Sequence, residues 1–253
     1  MPLFDSHLHL NSPQFDGRVD ETWAEAQQAD VTRAVVIGYD LETSKKAIEI
    51  AEQHKYLYAA VGVSPHDICK TPKGYIDQIR DFAAHEKVVA IGEAGLEYHY
   101  PVGPKEEQIE GFKQQIQLAN ELNKPIVIHL RDADDDFIQI MNEEPPNSAI
   151  LHCFTATMRL MEAAVDKGYF VSFSGIVTFK KAVEIQQAAA AVPNESLLIE
   201  TDAPYLAPTP HRGKQCEPKM VIHTAEKIAQ LRHKTLEDIS ELTYQNACKV
   251  FCL

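Results

Sequence analysis

Residues 3–9 read Leu3-Phe4-Asp5-Ser6-His7-Leu8-His9, an apolar run that ends in two histidines one residue apart. On a strand, the period of two turns both imidazoles to one side, where a single metal ion can take both. A lone His-x-His also suits a pair of satisfied core histidines. The chain, however, repeats the arrangement. Glu93 follows Val88-Val89-Ala90-Ile91-Gly92, His129 follows Ile126-Val127-Ile128, His152 follows Ala149-Ile150-Leu151, and Asp202 follows Leu197-Leu198-Ile199-Glu200-Thr201. Five short apolar runs thus each end on a metal-ligating side chain, which favours one shared site over five coincidences.

The same runs decide the fold class. Strand patterns near 3–7, 31–38, 57–63, 88–92, 125–129, 149–152, 169–173 and 197–201 alternate with helical patterns. The helical stretches lie near 20–29, 42–54, 74–84, 105–122, 133–142, 157–167, 179–191, 218–231 and 235–251. Within 105–122, Ile109, Phe112, Ile116 and Ala119 form the stripe of a helix packed on a sheet, and Gly168 stops the helix before it. Alternation alone also allows a doubly wound open sheet. In an open sheet, strands about 4.8 Å apart would spread these ligands over tens of ångströms, whereas a closed barrel gathers them at one mouth. The expectation is an α/β fold: a (β/α)8 TIM barrel, one domain over residues 1–253, with a metal site at the C-terminal mouth of the strands.

Composition agrees with one such domain, since 253 residues at 45% hydrophobic content can bury a large core. There is no run of about 18 apolar residues and no basic, apolar leader, so a soluble, cytoplasmic protein with no membrane partner is expected. Cys69, Cys153, Cys216, Cys248 and Cys252 are scattered and read as reduced thiols. A net charge of -13 argues against a general electrostatic grip on nucleic acid. Two divalent ions would add about four positive charges where a scissile phosphate sits, so weak, salt-sensitive binding with little sequence reading is expected. No obligate protein partner is evident. The proline-rich loop 203–218 starts at Asp202 and belongs over the barrel mouth.

Taken in order, Phe4-Asp5-Ser6-His7-Leu8-His9, Gly92-Glu93-Ala94-Gly95-Leu96-Glu97-Tyr98, Pro125-Ile126-Val127-Ile128-His129-Leu130-Arg131, His152-Cys153-Phe154, Glu200-Thr201-Asp202-Ala203-Pro204-Tyr205-Leu206 and Arg212-Gly213-Lys214 resemble the TatD family of metal-dependent deoxyribonucleases along nearly the whole chain. The resemblance implies a divalent-metal phosphodiesterase: a 3′–5′ exonuclease on single-stranded DNA or RNA that uses two ions (Mg, Mn or Zn) and an activated water. It makes His7, His9 and Asp202 ligands of one ion and His129 and His152 ligands of the second, with Glu93 as the bridge. Asp202 and Glu93 are then the catalytic carboxylates.

This chain departs from the family pattern in places. The usual His-Pro-His is Ser64-Pro65-His66, which keeps the histidine that contacts phosphate or supports a ligand. Glu97 stands for an Asp, Ala156 for a Gly, and Gln215-Cys216 for Arg-Asn. None of these changes removes a metal ligand.

Several further residues carry two readings. Arg131, two residues past His129, either aims at a phosphate or pairs with Asp132 or Asp134. Arg212 and Lys214 either close over a phosphodiester backbone or are solvated. Tyr98, Tyr100, Tyr205 and Phe154 stack on bases or pack in the core. Asp5 holds the His-x-His turn through backbone donors, and strand alternation turns Cys153 away from the site. Two other function classes compete. Amide or ester hydrolases of the dihydroorotase type bridge their metals with a carboxylated lysine where this chain has Glu93, and a silent binding barrel would lose ligands that are all kept here.

Overall fold

The apolar runs pair with one another in chain order. The computed structural model describes residues 2–253. Its strands are β1 (Leu3–Leu8), β2 (Val31–Ile37), β3 (Leu57–Val61), β4 (Val88–Glu97), β5 (Ile126–Arg131), β6 (Ala149–Leu151), β7 (Phe170–Phe173) and β8 (Leu197–Ile199). They lie in parallel in the order β1 to β8. Helices α1 (Val19–Gln28), α2 (Leu41–Gln53), α3 (Tyr75–Ala83), α4 (Lys105–Glu121), α5 (Asp134–Glu143), α6 (Met158–Val165) and α7 (Val183–Ala191) alternate with them, and α8 (Val221–Arg232) and α9 (Leu236–Phe251) follow. The result is one nearly closed (β/α)8 barrel. Among the described residues no helix is long and apolar enough to cross a membrane.

Strand alternation sorts the side chains into two layers. Val35, Ile37, Ala60, Val127, Ile150, Phe170 and Leu198 fill the barrel interior with Phe4. Their chain neighbours Ala34, Val36, Ile126, Ile128, Leu151 and Leu197 pack outward against the helices. At the N-terminal end of the strands, Phe4 stacks on Phe251 and meets Tyr244 edge-on, so α9 closes the floor of the barrel. The opposite end remains open.

Among the boundaries that differ from the sequence expectation, three bear on the mouth. β4 does not stop before Glu93 but continues to Glu97, and β5 continues to Arg131. Their pairing slips between Ile91 and Ala94, so Glu93 projects from a bulge rather than from a strand end. Glycine permits this close pairing: Gly95 has φ +149°, and a Cβ there would collide with the His129 carbonyl oxygen. In the third case, residues 175–178 form a short 3-10 turn, so α7 begins at Val183 instead of near residue 179.

Closure occurs where β8 meets β1. The Asp202 N–H donates to the His7 carbonyl at 2.9 Å, and the His9 N–H donates to the Ala203 carbonyl at 2.7 Å. Beneath them, the fully buried Asp5 carboxylate accepts from the Thr201 hydroxyl at 2.5 Å, the Thr201 N–H at 2.9 Å and the His7 N–H at 3.3 Å. Burial pushes the Asp5 carboxyl up to about 8, with the Thr201 donors pulling against it. Thr201→Val keeps the side-chain shape and removes one donor, and should lower stability by about 1–3 kcal/mol, read as a lower urea midpoint at unchanged m. The folded pKa lies above the unfolded one, so the carboxyl is protonated in the fold below about pH 8 and charged above it. The deficit should therefore be larger near pH 9 than near pH 6. Equal midpoints at both would show that the Thr201–Asp5 bond contributes nothing to closure.

Candidate metal centre and cavity

The layer that fills the barrel also delivers the site. Val127 faces inward, and so does His129 two residues later; Ile150 and Leu198 do the same for His152, Glu200 and Asp202. In β1 the register slips between Asp5 and Leu8, which brings His7 and His9 to the interior face that Phe4 occupies lower down. Asp202 lies beyond the end of β8 with φ 59°, a left-handed turn that Asp tolerates better than most residues.

These six side chains converge. Nε2 of His7 and Nε2 of His9 are 3.2 Å apart, and Oδ1 of Asp202 is 3.7 and 3.4 Å from them. Oε2 of Glu93 faces the same pair at 3.7 and 3.9 Å. On the other side, Oε1 of Glu93 lies 3.0 Å from Nδ1 of His129 and 3.3 Å from Nε2 of His152, with those two nitrogens 3.4 Å apart. Ligands bound at 2.0–2.2 Å in a tetrahedral shell are about 3.4 Å from one another, so both sets have the spacing of a cation's donors. One carboxylate, Glu93, gives an oxygen to each set.

Electrostatics divide the candidates. Glu93 and His7 are held in their ligating forms. Burial would lower His152, but Glu93 and Glu200 outweigh it and raise the ring well above its ordinary value, and Asp202 and Glu93 likewise outweigh burial at His9. Burial alone would raise the Glu93 carboxyl, but the His152 and His129 imidazoles outweigh it and hold the group well below the usual carboxylate range. Burial, and then the His152 and His9 rings, hold His7 well below its ordinary value. His9 Nδ1 lies 3.0 Å from the Ile37 carbonyl, which fixes the proton there and leaves the Nε2 lone pair facing the site.

The site lies at the bottom of a cavity of about 590 Å3 at the barrel mouth. Arg131 is the one lysine or arginine in its lining. Among the described residues it has no ion-pair partner: Asp132 meets His99 at 2.9 Å, Asp134 accepts from Thr157 at 2.6 Å, and the Arg131 guanidinium lies 5.7 Å from the Tyr100 ring centroid. His66 is on the same wall, with Nε2 3.6 Å from Glu97. Arg212 and Lys214 are not in the lining. Arg212 stacks over Phe179 at 3.5 Å on the loop rim, and Lys214 is exposed.

Of the aromatic candidates, Tyr100 and Tyr205 line the cavity and are 52% and 49% exposed. Phe154 is buried against Phe173, and the Tyr98 hydroxyl donates to Asp136. Cys153 corrects the alternation argument. β6 ends at Leu151, the chain turns at Cys153 with φ 43°, and the residue lines the cavity.

Residues 4–252 match the family model described as TatD related DNase. The chain belongs to that family. It is 43% identical over 251 residues, 98% of each chain, to the Bacillus subtilis protein named uncharacterized metal-dependent hydrolase YabD. Identity to the Salmonella typhimurium protein named 3'-5' ssDNA/RNA exonuclease TatD is 34% over 256 residues, again 98% of each chain. The crystal structure of the Escherichia coli TatD homologue YjjV superposes with a TM-score of 0.94 at 26% identity, covering 99% of this chain and 98% of that one.

Two carboxylates of this TatD-family chain carry more contacts than sequence reasoning assigned them. Glu97 reaches both His66 and His129. Glu200, fully buried, accepts from the Cys153 N–H at 2.7 Å and faces Nδ1 of His152 at 3.4 Å. Its place two residues after the inward-facing Leu198, at the end of an apolar run, was the available signal. A carboxylate behind a ligating imidazole sets the ring's tautomer and raises its basicity. Glu200→Gln keeps an acceptor for Cys153 but loses the charge, and should weaken divalent-ion binding by about 10–100-fold in equilibrium dialysis with little change in melting temperature. Unchanged affinity would reduce Glu200 to a backbone clamp.

Proposed function

We propose that this TatD-family hydrolase cleaves phosphodiester bonds of nucleic acid, removing nucleotides from the 3′ end of single-stranded DNA or RNA, with two divalent ions held by six side chains. One ion would take His7, His9 and Asp202, the other His129 and His152, with Glu93 between them. The observation that carries the reading is the division of Glu93, whose two oxygens face separate, correctly spaced donor sets. The substrate class is supported by the printed activity of the Salmonella relative and by an unpaired arginine in the cavity.

Two ions in such a site lower the pKa of water and stabilise negative charge on attacking and leaving oxygens. The chain's own groups do the rest. Asp202, 3.4 Å from His9, accepts the proton of the attacking water at a carboxylate oxygen. Arg131 gives a charge-assisted hydrogen bond to a non-bridging phosphate oxygen, and His66 contacts the same phosphate from the β3 side. Tyr100 and Tyr205 offer faces for the flanking bases, worth about 1–3 kcal/mol per stacked base. Arg212 and Lys214, outside the cavity, contact only a strand long enough to cross the rim. Among the described residues lining the cavity there is no lysine to carry a carbamate bridge, which leaves the amidohydrolase alternative without its usual device.

Incubating the metal-loaded protein with 3′- and 5′-labelled single-stranded DNA, RNA and a dihydropyrimidine tests the reading. Stepwise release of mononucleotides from the 3′ end is expected. Turnover of the dihydropyrimidine alone would overturn it. Glu93→Ala should abolish hydrolysis at saturating Mg2+ or Mn2+ while the fold persists, and wild-type rates in that variant would make the shared carboxylate untenable. Arg131→Ala should raise KM about tenfold or more on dinucleotides and oligonucleotides alike, the loss of one charge-assisted hydrogen bond. Arg212→Ala should act on oligonucleotides only and fade with salt. Equal effects of the two on a dinucleotide would refute the division between cavity and rim.

A further inference from the structure

A second cluster of ligating side chains lies on the cavity wall and shares one ring with the inner set. Oε2 of Glu97 is 3.2 Å from Nε2 of His129 and 3.6 Å from Nε2 of His66, and the three donor atoms all lie within 4.8 Å of one another. The carboxylate is held in place for this. Oε1 of Glu97 accepts from the backbone N–H groups of His99 and Tyr100 at 2.6 and 3.0 Å, and the Glu97 N–H donates to Oε1 of Gln108 on α4 at 2.8 Å. Oε2 is thereby turned to the two rings. Glu97 is buried, but the His66 side chain is 41% exposed and lines the cavity, so a small cation can reach the group from solvent.

We propose that His66, Glu97 and His129 form a third cation site, distinct from the inner pair, that takes Zn2+ or a similar borderline-soft ion in preference to Mg2+ and slows the enzyme when filled. Two imidazoles and one carboxylate with an open fourth position make a zinc donor set, whereas Mg2+ favours a near-octahedral shell richer in oxygen ligands. Inhibition follows from the shared ring, because a neutral imidazole has one lone pair and one N–H. His129 presents Nδ1 to Glu93 at 3.0 Å and Nε2 to Glu97 at 3.2 Å. With its proton on Nε2, the ring donates to Glu97 and turns its lone pair inward. An ion on Nε2 takes the lone pair to that side and moves the proton to Nδ1, so the inner position keeps Glu93 and His152 and loses its third ligand. Only this kinetic half rests on the proposed inner pair; binding at the outer cluster does not.

The full chain is loaded with two equivalents of Zn2+, and more Zn2+ is titrated by calorimetry while 15N spectra of histidine-labelled protein follow the His129 ring. One further equivalent should bind, with the Nδ1 and Nε2 signals exchanging metal-bound and N–H positions. Hydrolysis of bis-p-nitrophenyl phosphate should fall about tenfold or more at the same midpoint, the size expected when a ligand is lost. His66→Ala should remove both the third equivalent and the zinc-dependent fall, measured against its own rate at two equivalents. Glu97→Gln, which keeps an acceptor for His99 and Tyr100, should weaken the third equivalent about tenfold or more. No third equivalent, one that persists unchanged in His66→Ala, or one that leaves the His129 signals in place overturns the proposal. Failure to hydrolyse the ester at two equivalents counts against the nuclease reading instead, and leaves the calorimetric result to decide the outer site.

Discussion

Everything at the barrel mouth depends on the meeting of β8 with β1. His7 and His9 come from the first strand of the chain and Asp202 from beyond the last, yet they lie within 3.7 Å of one another. Two backbone hydrogen bonds and the buried Asp5 carboxylate hold that junction, and the Asp5 donors Thr201 and His7 are next to or among the candidate ligands. Fold closure and site assembly are therefore one event. Loosening the seam moves a ligand, and a cation bound across it would in turn hold the seam closed.

The mouth concentrates buried carboxyl groups. Asp5, Glu93, Glu97, Glu200 and Asp202 are all buried, around five histidines. Isolated carboxylates in such a setting would be strongly destabilising, so each must be hydrogen-bonded, paired or bound to a cation. Asp5 and Glu97 accept largely from backbone donors, and Glu200 accepts from the Cys153 N–H and faces the His152 ring. Glu93 and Asp202 face only imidazoles whose lone pairs also want a cation. The difference sets Asp5 and Glu200, which position the site, apart from Glu93 and Asp202, which would hold the inner ions.

Under the proposed function, substrate contacts divide in the same way. Among the described residues lining the cavity, Arg131 is the one permanent cation, and the neighbouring carboxylates Asp132 and Asp134 are engaged by His99 and Thr157. The other basic groups near the mouth are on the rim. In a chain of net charge -13, that leaves little long-range attraction for a polynucleotide and puts recognition at the cleaved end.

The sequence by itself determined the alternation of strands and helices, the number of strands, and the six ligand candidates, because period-two and helical patterns are local and each ligand directly follows an apolar run. It also carried the family, through motifs whose order and spacing survive in this chain. What it could not determine was which side of the mouth each long residue reaches. The slips that turn His7, His9 and Glu93 inward arise from pairing between strands, and the turn that brings Cys153 into the cavity follows the early end of β6. Only the closed barrel brings Glu200 behind His152, puts Glu97 between two histidines, leaves Arg131 unpaired, and draws Arg212 onto Phe179. The reason is distance: local pattern fixes the face on which a side chain lies, whereas its partner is fixed by which other strand end is brought within 3–4 Å, and that is decided by closure.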